Sequence, residues 1–149
     1  MKRTIKTLLL IVLFGMCISL ISCKDDDNPV SSPSMTGTWN LVTYTDLESE
    51  FTVTAGEPTE IAPGLFFTVT GSLVATETRF TVTLSMTLSM LGYPPETEIM
   101  TSMGTYSTSG STLTIVDDET GETETMFISR SDNRMTIRDD DVILIFEKE

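Results

Sequence analysis

Histidine is absent from the sequence, and cysteine occurs only twice, at Cys17 and Cys23. Histidine is the commonest general base and metal ligand, so its absence excludes Ser-His-Asp and Cys-His catalytic arrangements and zinc sites built on His or Cys. Acidic residues cluster at 117–119 and 139–141, in turns where solvated carboxylates behave as ordinary acids. Neither cluster has the spacing of an EF-hand calcium loop. We therefore expect no catalytic residue, no cofactor and no metal site, and we expect the protein not to be an enzyme.

Basic residues are also scarce. The chain has 9 Lys and Arg against 22 Asp and Glu, which gives a formal net charge of −13. Nucleic acid would be repelled by this charge, so we expect no nucleic-acid partner.

One long apolar run is present, at residues 8–21, and it follows Lys2, Arg3 and Lys6. A basic stretch before an apolar run is typical of a secretory signal, and the run is shorter than the roughly 20 residues of a membrane span. The pattern predicts a cleaved signal peptide over residues 1–22. Cleavage would remove those three basic residues and no acidic one, which leaves a net charge of −16.

The end of this segment carries a more specific motif. Leu20, Ile21 and Ser22 before Cys23 resemble the bacterial lipobox. The resemblance implies lipidation at Cys23 and stable attachment to a membrane, since more than one acyl chain anchors a protein durably. The alternative is an ordinary signal peptide that leaves Cys23 as a free thiol. The following residues, 24–27 (KDDD), are similar to a tag that directs lipoproteins to the outer face of the outer membrane, or form a solvated spacer.

The remainder of the chain has the pattern of a β-protein. We interpret residues 23–35, rich in Asp, Ser and Pro, as the lipidated cysteine and a flexible tether, and residues 36–149 as one domain. From Arg79 to Met90 apolar residues alternate with Thr and Ser, as on a half-buried strand. Turn-forming residues, including Thr70-Gly71-Ser72, divide the domain into predicted strands near 37–45, 50–55, 64–70, 73–90 (with one possible break), 97–108, 111–117, 122–130, 133–138 and 142–148.

Short connections between these segments predict antiparallel hairpins between neighbours along the chain. Such strands either close into an up-and-down barrel of about eight strands or pack as a β-sandwich. Hairpin connectivity favours the barrel, because immunoglobulin-type sandwiches need longer crossovers. The fold class we predict is therefore all-β, with the antiparallel barrel preferred over the sandwich.

The start of the first strand, Gly37-Thr38-Trp39, resembles the Gly-x-Trp opening of lipocalins and of lipocalin-like domains in bacterial lipoproteins. The later Gly104-Thr105-Tyr106 and the closing strands are similar to the same bacterial domains. The resemblance implies a barrel that Trp39 closes at one end, beneath a basic side chain from a late strand. Arg130, Arg134 and Arg138 are the candidates, with Arg138 preferred; alternatively, Trp39 is ordinary core and the arginines balance an acidic surface.

A lipocalin-like barrel implies an interior that is packed solid or holds one small ligand. The candidate lining is the apolar face of the long strand: Phe80, Val82, Leu84, Met86 and Leu88. We expect an envelope lipoprotein, attached through Cys23 in the outer membrane, that binds a small apolar ligand. The alternative is a protein-interaction or adhesin module that acts through loops and strand surfaces, with an unidentified protein partner.

Overall fold

A computed structural model describes residues 34–149. The predicted signal peptide, Cys23 and most of the predicted tether lie outside the described residues. No helix within residues 34–149 is long and apolar enough to cross a membrane. The strands are β1 (Gly37–Asp46), β2 (Phe51–Thr54), β3 (Thr59–Ala62), β4 (Leu65–Ala75), β5 (Arg79–Met90), β6 (Glu96–Ser109), β7 (Thr112–Asp117), β8 (Thr123–Arg130), β9 (Arg134–Arg138) and β10 (Val142–Lys148).

The strands form a closed antiparallel barrel. From β4 to β10 each strand pairs with the next along the chain, and β10 pairs with β1. Closure comes from β1, whose residues Gly37–Asn40 pair with Ser72–Ala75 of β4. Eight strands, β1 and β4 to β10, therefore make the barrel, and the predicted all-β, up-and-down architecture is confirmed. The sandwich alternative is wrong, because one sheet closes on itself.

Two short strands modify this barrel. The register of β1 shifts between Leu41 and Thr43, and beyond this bulge β1 pairs with β10 on one side and β2 on the other. The N–H of Gly56, just after β2, donates to the carbonyl of Val69 in β4 (2.8 Å). The β2 hairpin thus occupies the space where β1 and β4 diverge. The short strand β3, which pairs with β4, was missed from the sequence.

The turn predicted at Thr70-Gly71-Ser72 is wrong, because β4 runs through it from Leu65 to Ala75. Gly71 lies where β4 approaches β5 closely. A Cβ added there would be 2.5 Å from Leu84 Cδ2 and 2.8 Å from the carbonyl oxygen of Thr83. The glycine allows close strand packing and is not a turn residue. The possible break within 73–90 is confirmed: it lies at residues 76–78, between β4 and β5.

The core fills the barrel from the end where β1 begins, which we call the Trp39 end. Met35 is buried there, so packing starts one residue before the predicted domain boundary, within the segment interpreted as tether. The largest fully buried side chains are Trp39, Val53, Val69, Met135 and Phe146.

The opposite end is acidic. It carries the turns β1–β2, β5–β6, β7–β8 and β9–β10, which contain no basic residue. We call it the acidic end after the residues in those turns: Glu48, Glu50, Asp118, Glu119, Glu122, Asp139, Asp140 and Asp141.

Strand β6 is longer than its neighbour β7. It pairs with β5 from Glu96 to Thr105, but with β7 only from Gly104 to Ser109. The β5–β6 hairpin therefore projects beyond the β7–β8 turn at the acidic end.

Candidate functional site

The five predicted lining residues lie on one face of β5, the face that contributes to the core. Phe80 is opposite Ala75 and Gly104, and Val82 is opposite Leu73 and Ser102. Further along, the neighbours on β4 remain apolar, while those on β6 become Met100 beside Leu84, Glu98 beside Met86 and Glu96 beside Leu88. The inward surface thus changes from apolar to mixed toward the acidic end.

Burial of this face falls in the same direction. Phe80 is 8% exposed, Val82, Leu84 and Met86 are partly buried against the core, and Leu88 is 36% exposed. Gly104 makes room for Phe80, because a Cβ there would lie 3.0 Å from Phe80 Cε1 and would overlap the Val116 carbonyl. The Trp39 end of the face is therefore packed solid, whereas its acidic end meets solvent.

An aromatic cluster borders the solvent-facing part of the interior. The Tyr44, Phe51 and Phe67 rings lie with centroids 5.8 to 6.2 Å apart. Such tilted and edge-to-face arrangements are favourable for aromatic pairs. Burial, and secondarily the nearby Asp46 carboxylate, raises the pKa of the Tyr44 phenol. Tyr44 therefore stays a neutral hydroxyl beside a largely apolar surface.

Glu124 brings a carboxylate to the interior side of β8. Its partner in β7 is Ile115, and it shares a strand face with Met126 and Ile128, which contact the core. Burial raises the pKa of Glu124, and the charges of Asp139, Glu122 and Asp117 raise it further. The acidic end is thus a place where the protein itself disfavours additional negative charge.

Trp39 closes the other end. Its Nε1–H donates to the carbonyl of Met35 (2.7 Å), and Lys148 Nζ lies 5.4 Å from the centre of the ring. Gly37 accommodates this arrangement: its φ is 132°, and a Cβ there would be 3.0 Å from Lys148 Cε. The Gly-x-Trp motif therefore serves two purposes here, since the glycine admits the cation and the tryptophan receives it.

The preference for Arg138 as the stacking residue is wrong. Arg138 is opposite Ile143, whereas Trp39 is opposite Lys148, so the two positions are separated by roughly 16 Å along β10 at 3.3 Å per residue. Arg134 lies near Glu147 (3.8 Å), and Arg130 Nη2 is 3.5 Å from Thr108 Oγ1. Which cation reaches Trp39 depends on the register between β1 and β10, and a motif of three residues does not contain that register.

The carboxylate cluster at 117–119 is a structural turn. Asp117 Oδ1 accepts the N–H groups of Glu119 and Thr120 (both 2.8 Å), and its Oδ2 accepts Ser102 Oγ–H (3.1 Å). The hydrogen bond from the Thr120 backbone is the main cause of the lowered pKa of Asp117. Asp118 pairs with Arg79. In the part of the chain that the structure describes, no three Asp, Glu or Cys side chains are placed to hold a metal ion.

A second feature lies beside this turn and was not predicted. Strand β6 from Thr97 to Met103, which we call the free β6 edge, has no strand partner on its β7 side among residues 34–149. A surface depression of about 350 Å³ lies where this edge meets the turn. It is lined by Thr101, Ser102, Met103, Asp117, Asp118 and Glu119. The unequal lengths of the predicted strands 97–108 and 111–117 were the available signal for it.

The strand order, with β1 pairing both β4 and the last strand, is that of a closed meander. The domain is therefore a closed, antiparallel, up-and-down barrel of eight strands. A lipocalin-like protein from Bacteroides uniformis has a similar structure, with TM-score 0.47 and 13% identity over 77% of this chain and 98% of that one. An uncharacterized protein from Bacteroides eggerthii is also similar, with TM-score 0.47 and 12% identity; the match covers 76% of this chain and 98% of that protein's chain. No family model and no curated protein matches the chain.

Proposed function

We propose that this protein is a lipid-anchored component of the bacterial cell envelope whose barrel binds a small apolar ligand at its acidic end. The observation that carries the binding proposal is the fall in burial along the inward face of β5, from Phe80 to Leu88. Inward apolar side chains that meet solvent can gain free energy when a ligand covers them.

The surface offered to a ligand is adaptable. Met86, Met100 and Met126 are partly buried around the acidic end, and flexible thioether side chains fit ligands of varied shape. Met90, opposite Leu65 on the same face, is 48% exposed. A ligand that covers these methionines would bury apolar surface that is exposed to solvent in the free protein.

The polar groups near this surface restrict the ligand. The neutral Tyr44 hydroxyl can orient a polar group, whereas Glu124 and the acidic turns repel anions. We therefore propose a neutral or cationic apolar ligand and not a fatty-acid anion. Binding requires no catalytic step and no cofactor.

The test is native mass spectrometry of the chain purified from a bacterial host in a mild detergent, followed by uptake of a neutral lipid extract. Met86→Trp should abolish the bound mass, because the larger side chain fills the inward face of β5. Thr87→Trp is the matched control, since Thr87 is the next residue and lies on the outer face with Thr97. A chain that takes up no neutral lipid, or that binds it equally well with tryptophan at either position, would contradict the proposal.

The anchor is tested separately. In a Gram-negative host fed a clickable fatty acid, Cys23→Ser should lose the label and move to the soluble fraction. Cys17→Ser, the other cysteine of the chain, should keep both label and membrane attachment. Labelling that survives Cys23→Ser would contradict the lipoprotein proposal without affecting ligand binding.

A further inference from the structure

The free β6 edge is suited to binding another chain. We propose that it binds an extended, basic polypeptide segment, which adds to the sheet as a further strand alongside Thr97–Met103. The partner would pair with the edge of the sheet, whereas the ligand proposed above would cover the inward face of β5, so the two proposals are tested separately.

The backbone groups of the edge are available for such pairing. The carbonyl of Met103 accepts the N–H of Asp118 (2.9 Å), on the side away from β5, whereas the N–H of Tyr106 donates toward β5, to Thr78 (2.8 Å). In an antiparallel strand, the N–H and C=O of one residue point to the same side, and the side alternates along the strand. Thr97, Ile99 and Thr101 therefore direct both groups to the free edge, where no strand of residues 34–149 meets them.

The edge is held in an extended shape before any partner binds. The register between β5 and β6 runs without a bulge from Arg79 to Leu88. On the outer face the hydroxyl oxygens of Thr87 and Thr97 are 2.9 Å apart, and those of Thr83 and Thr101 are 3.4 Å apart. A preformed edge reduces the ordering cost of binding.

The free β6 edge has no lysine, proline or bulge, which are three of the features that keep natural sheet edges from pairing; the two prolines of the region, Pro94 and Pro95, precede β6. Its one charged residue, Glu98, disfavours an acidic strand but can pair with a basic one. On the outer face Ile99 is 68% exposed and Met103 is 51% exposed. Such apolar side chains favour an apolar residue on an adjacent strand.

Charge selects the partner. Glu96 and Glu98 occupy the other face of β6 and are exposed, and Glu119 lines the depression at the end of the edge. A second copy of the chain has no basic side chain in its own residues 96–103 to pair with Glu96 and Glu98, and it is itself acidic. A strand that alternates basic and apolar residues would instead place cations against Glu96 and Glu98 and apolar side chains against Ile99.

The probe is a blocked peptide that alternates lysine and valine, added to the full chain in mild detergent. Amide hydrogen exchange is measured by mass spectrometry with and without the peptide. We expect exchange at Thr97, Ile99 and Thr101 to slow by about tenfold or more, because their amides acquire acceptors. A peptide with the same composition, but with its lysines and valines in two blocks, should protect them far less.

Thr101→Pro is the decisive variant. It removes an edge N–H that does not bond to β5, so the fold should tolerate it as edge strands tolerate proline, and it should abolish the protection. Thr97→Pro is a second variant of the same kind if Thr101→Pro fails to fold. Glu98→Gln should weaken binding and reduce its salt dependence, while Glu77→Gln, at the Trp39 end, should change neither.

Three results would overturn the proposal. Peptide binding that persists in both proline variants, or that protects only residues 117–122, would show simple attraction to the acidic turns. Protection of the edge in a peptide-free monomer would identify residues 1–33 as the occupant. The same protection in a peptide-free dimer would identify a second copy.

Discussion

At the scale of single residues, the contact between Trp39 and Lys148 ties the first strand to the last. An exposed cation over an indole stabilises a fold by about 0.5–1 kcal/mol. The burial of Trp39 itself contributes more, because removal of a buried tryptophan costs about 3–5 kcal/mol. Lys148 is therefore the accessory residue of the pair and can be changed without loss of the fold.

Lys148→Met should lower the free energy of unfolding by about 0.5–1 kcal/mol and shift the fluorescence of Trp39, the only tryptophan of the chain. Arg138→Met removes one positive charge from β9, opposite Ile143 and far from Trp39, and should leave the fluorescence unchanged. Equal spectral effects from both variants would contradict the assignment of Lys148. Emission spectra and urea unfolding measure the two quantities.

Glu124 should make stability depend on pH. Its raised pKa means that the folded state retains a proton which the unfolded chain releases above about pH 4.3, the ordinary pKa of glutamate. Stability therefore falls as pH rises from that value through the raised pKa, and it stays lower above the raised pKa. Glu124→Gln should consequently melt at a higher temperature than the parent at pH 7, and the difference should shrink toward pH 4.

Thermal unfolding across this pH range gives the test. Glu57→Gln, in the exposed turn after β2, is the control for the loss of one negative charge. If the two variants gained equal stability at pH 7, net charge would explain the effect and the desolvation of Glu124 would not.

At the scale of strands, the residue pattern of each segment predicted the features that depend on that segment alone. The alternation from Phe80 to Met90 identified β5 and its inward face, because side chains on a strand alternate whatever lies beside them. Gly71 was misread because glycine is common in turns, and its actual reason, the approach of Leu84, comes from another strand. Lys148 and the free β6 edge were missed for a related reason: both depend on register, which no single segment contains.

The close approach at Gly71 can be tested directly. Gly71→Ala should lower the free energy of unfolding by about 1–3 kcal/mol, since the new methyl group overlaps both a side chain and the Thr83 carbonyl. Ser72→Ala, one residue along, should change it by less than about 0.5 kcal/mol. Urea unfolding of both variants measures the difference. If Gly71→Ala left the free energy of unfolding unchanged, the close approach of β4 and β5 would not require glycine at this position.

At the scale of the whole molecule, charge is divided between the two ends. The turns of the acidic end carry the eight acidic residues named above, with Arg138 beside them and Arg79 paired to Asp118, whereas Arg130, Arg134 and Lys148 lie at strand ends next to the Trp39 end. Like charges concentrated in one place oppose compaction, and salt screens them. The barrel therefore folds against a repulsion that is local to the acidic end.

Added sodium chloride should accordingly raise the unfolding temperature at pH 7. The effect should weaken as the pH falls toward 4.2, the isoelectric point expected from the sequence, because protonation of the carboxylates reduces the repulsion. Sucrose serves as a control for general stabilisation by cosolutes. This account would be contradicted if sodium chloride did not change the unfolding temperature at pH 7, or raised it equally at pH 7 and near pH 4.2.

The pairing of β1 with β10 has a consequence for the time course of folding. The meander from β4 to β10 joins neighbours along the chain, but the first strand must wait for the last before it gains its partner on that side. Contacts between distant residues are the slow ones to form. Since Trp39 lies at this junction, we expect its fluorescence in a stopped-flow refolding experiment to change later than the circular dichroism of the sheet.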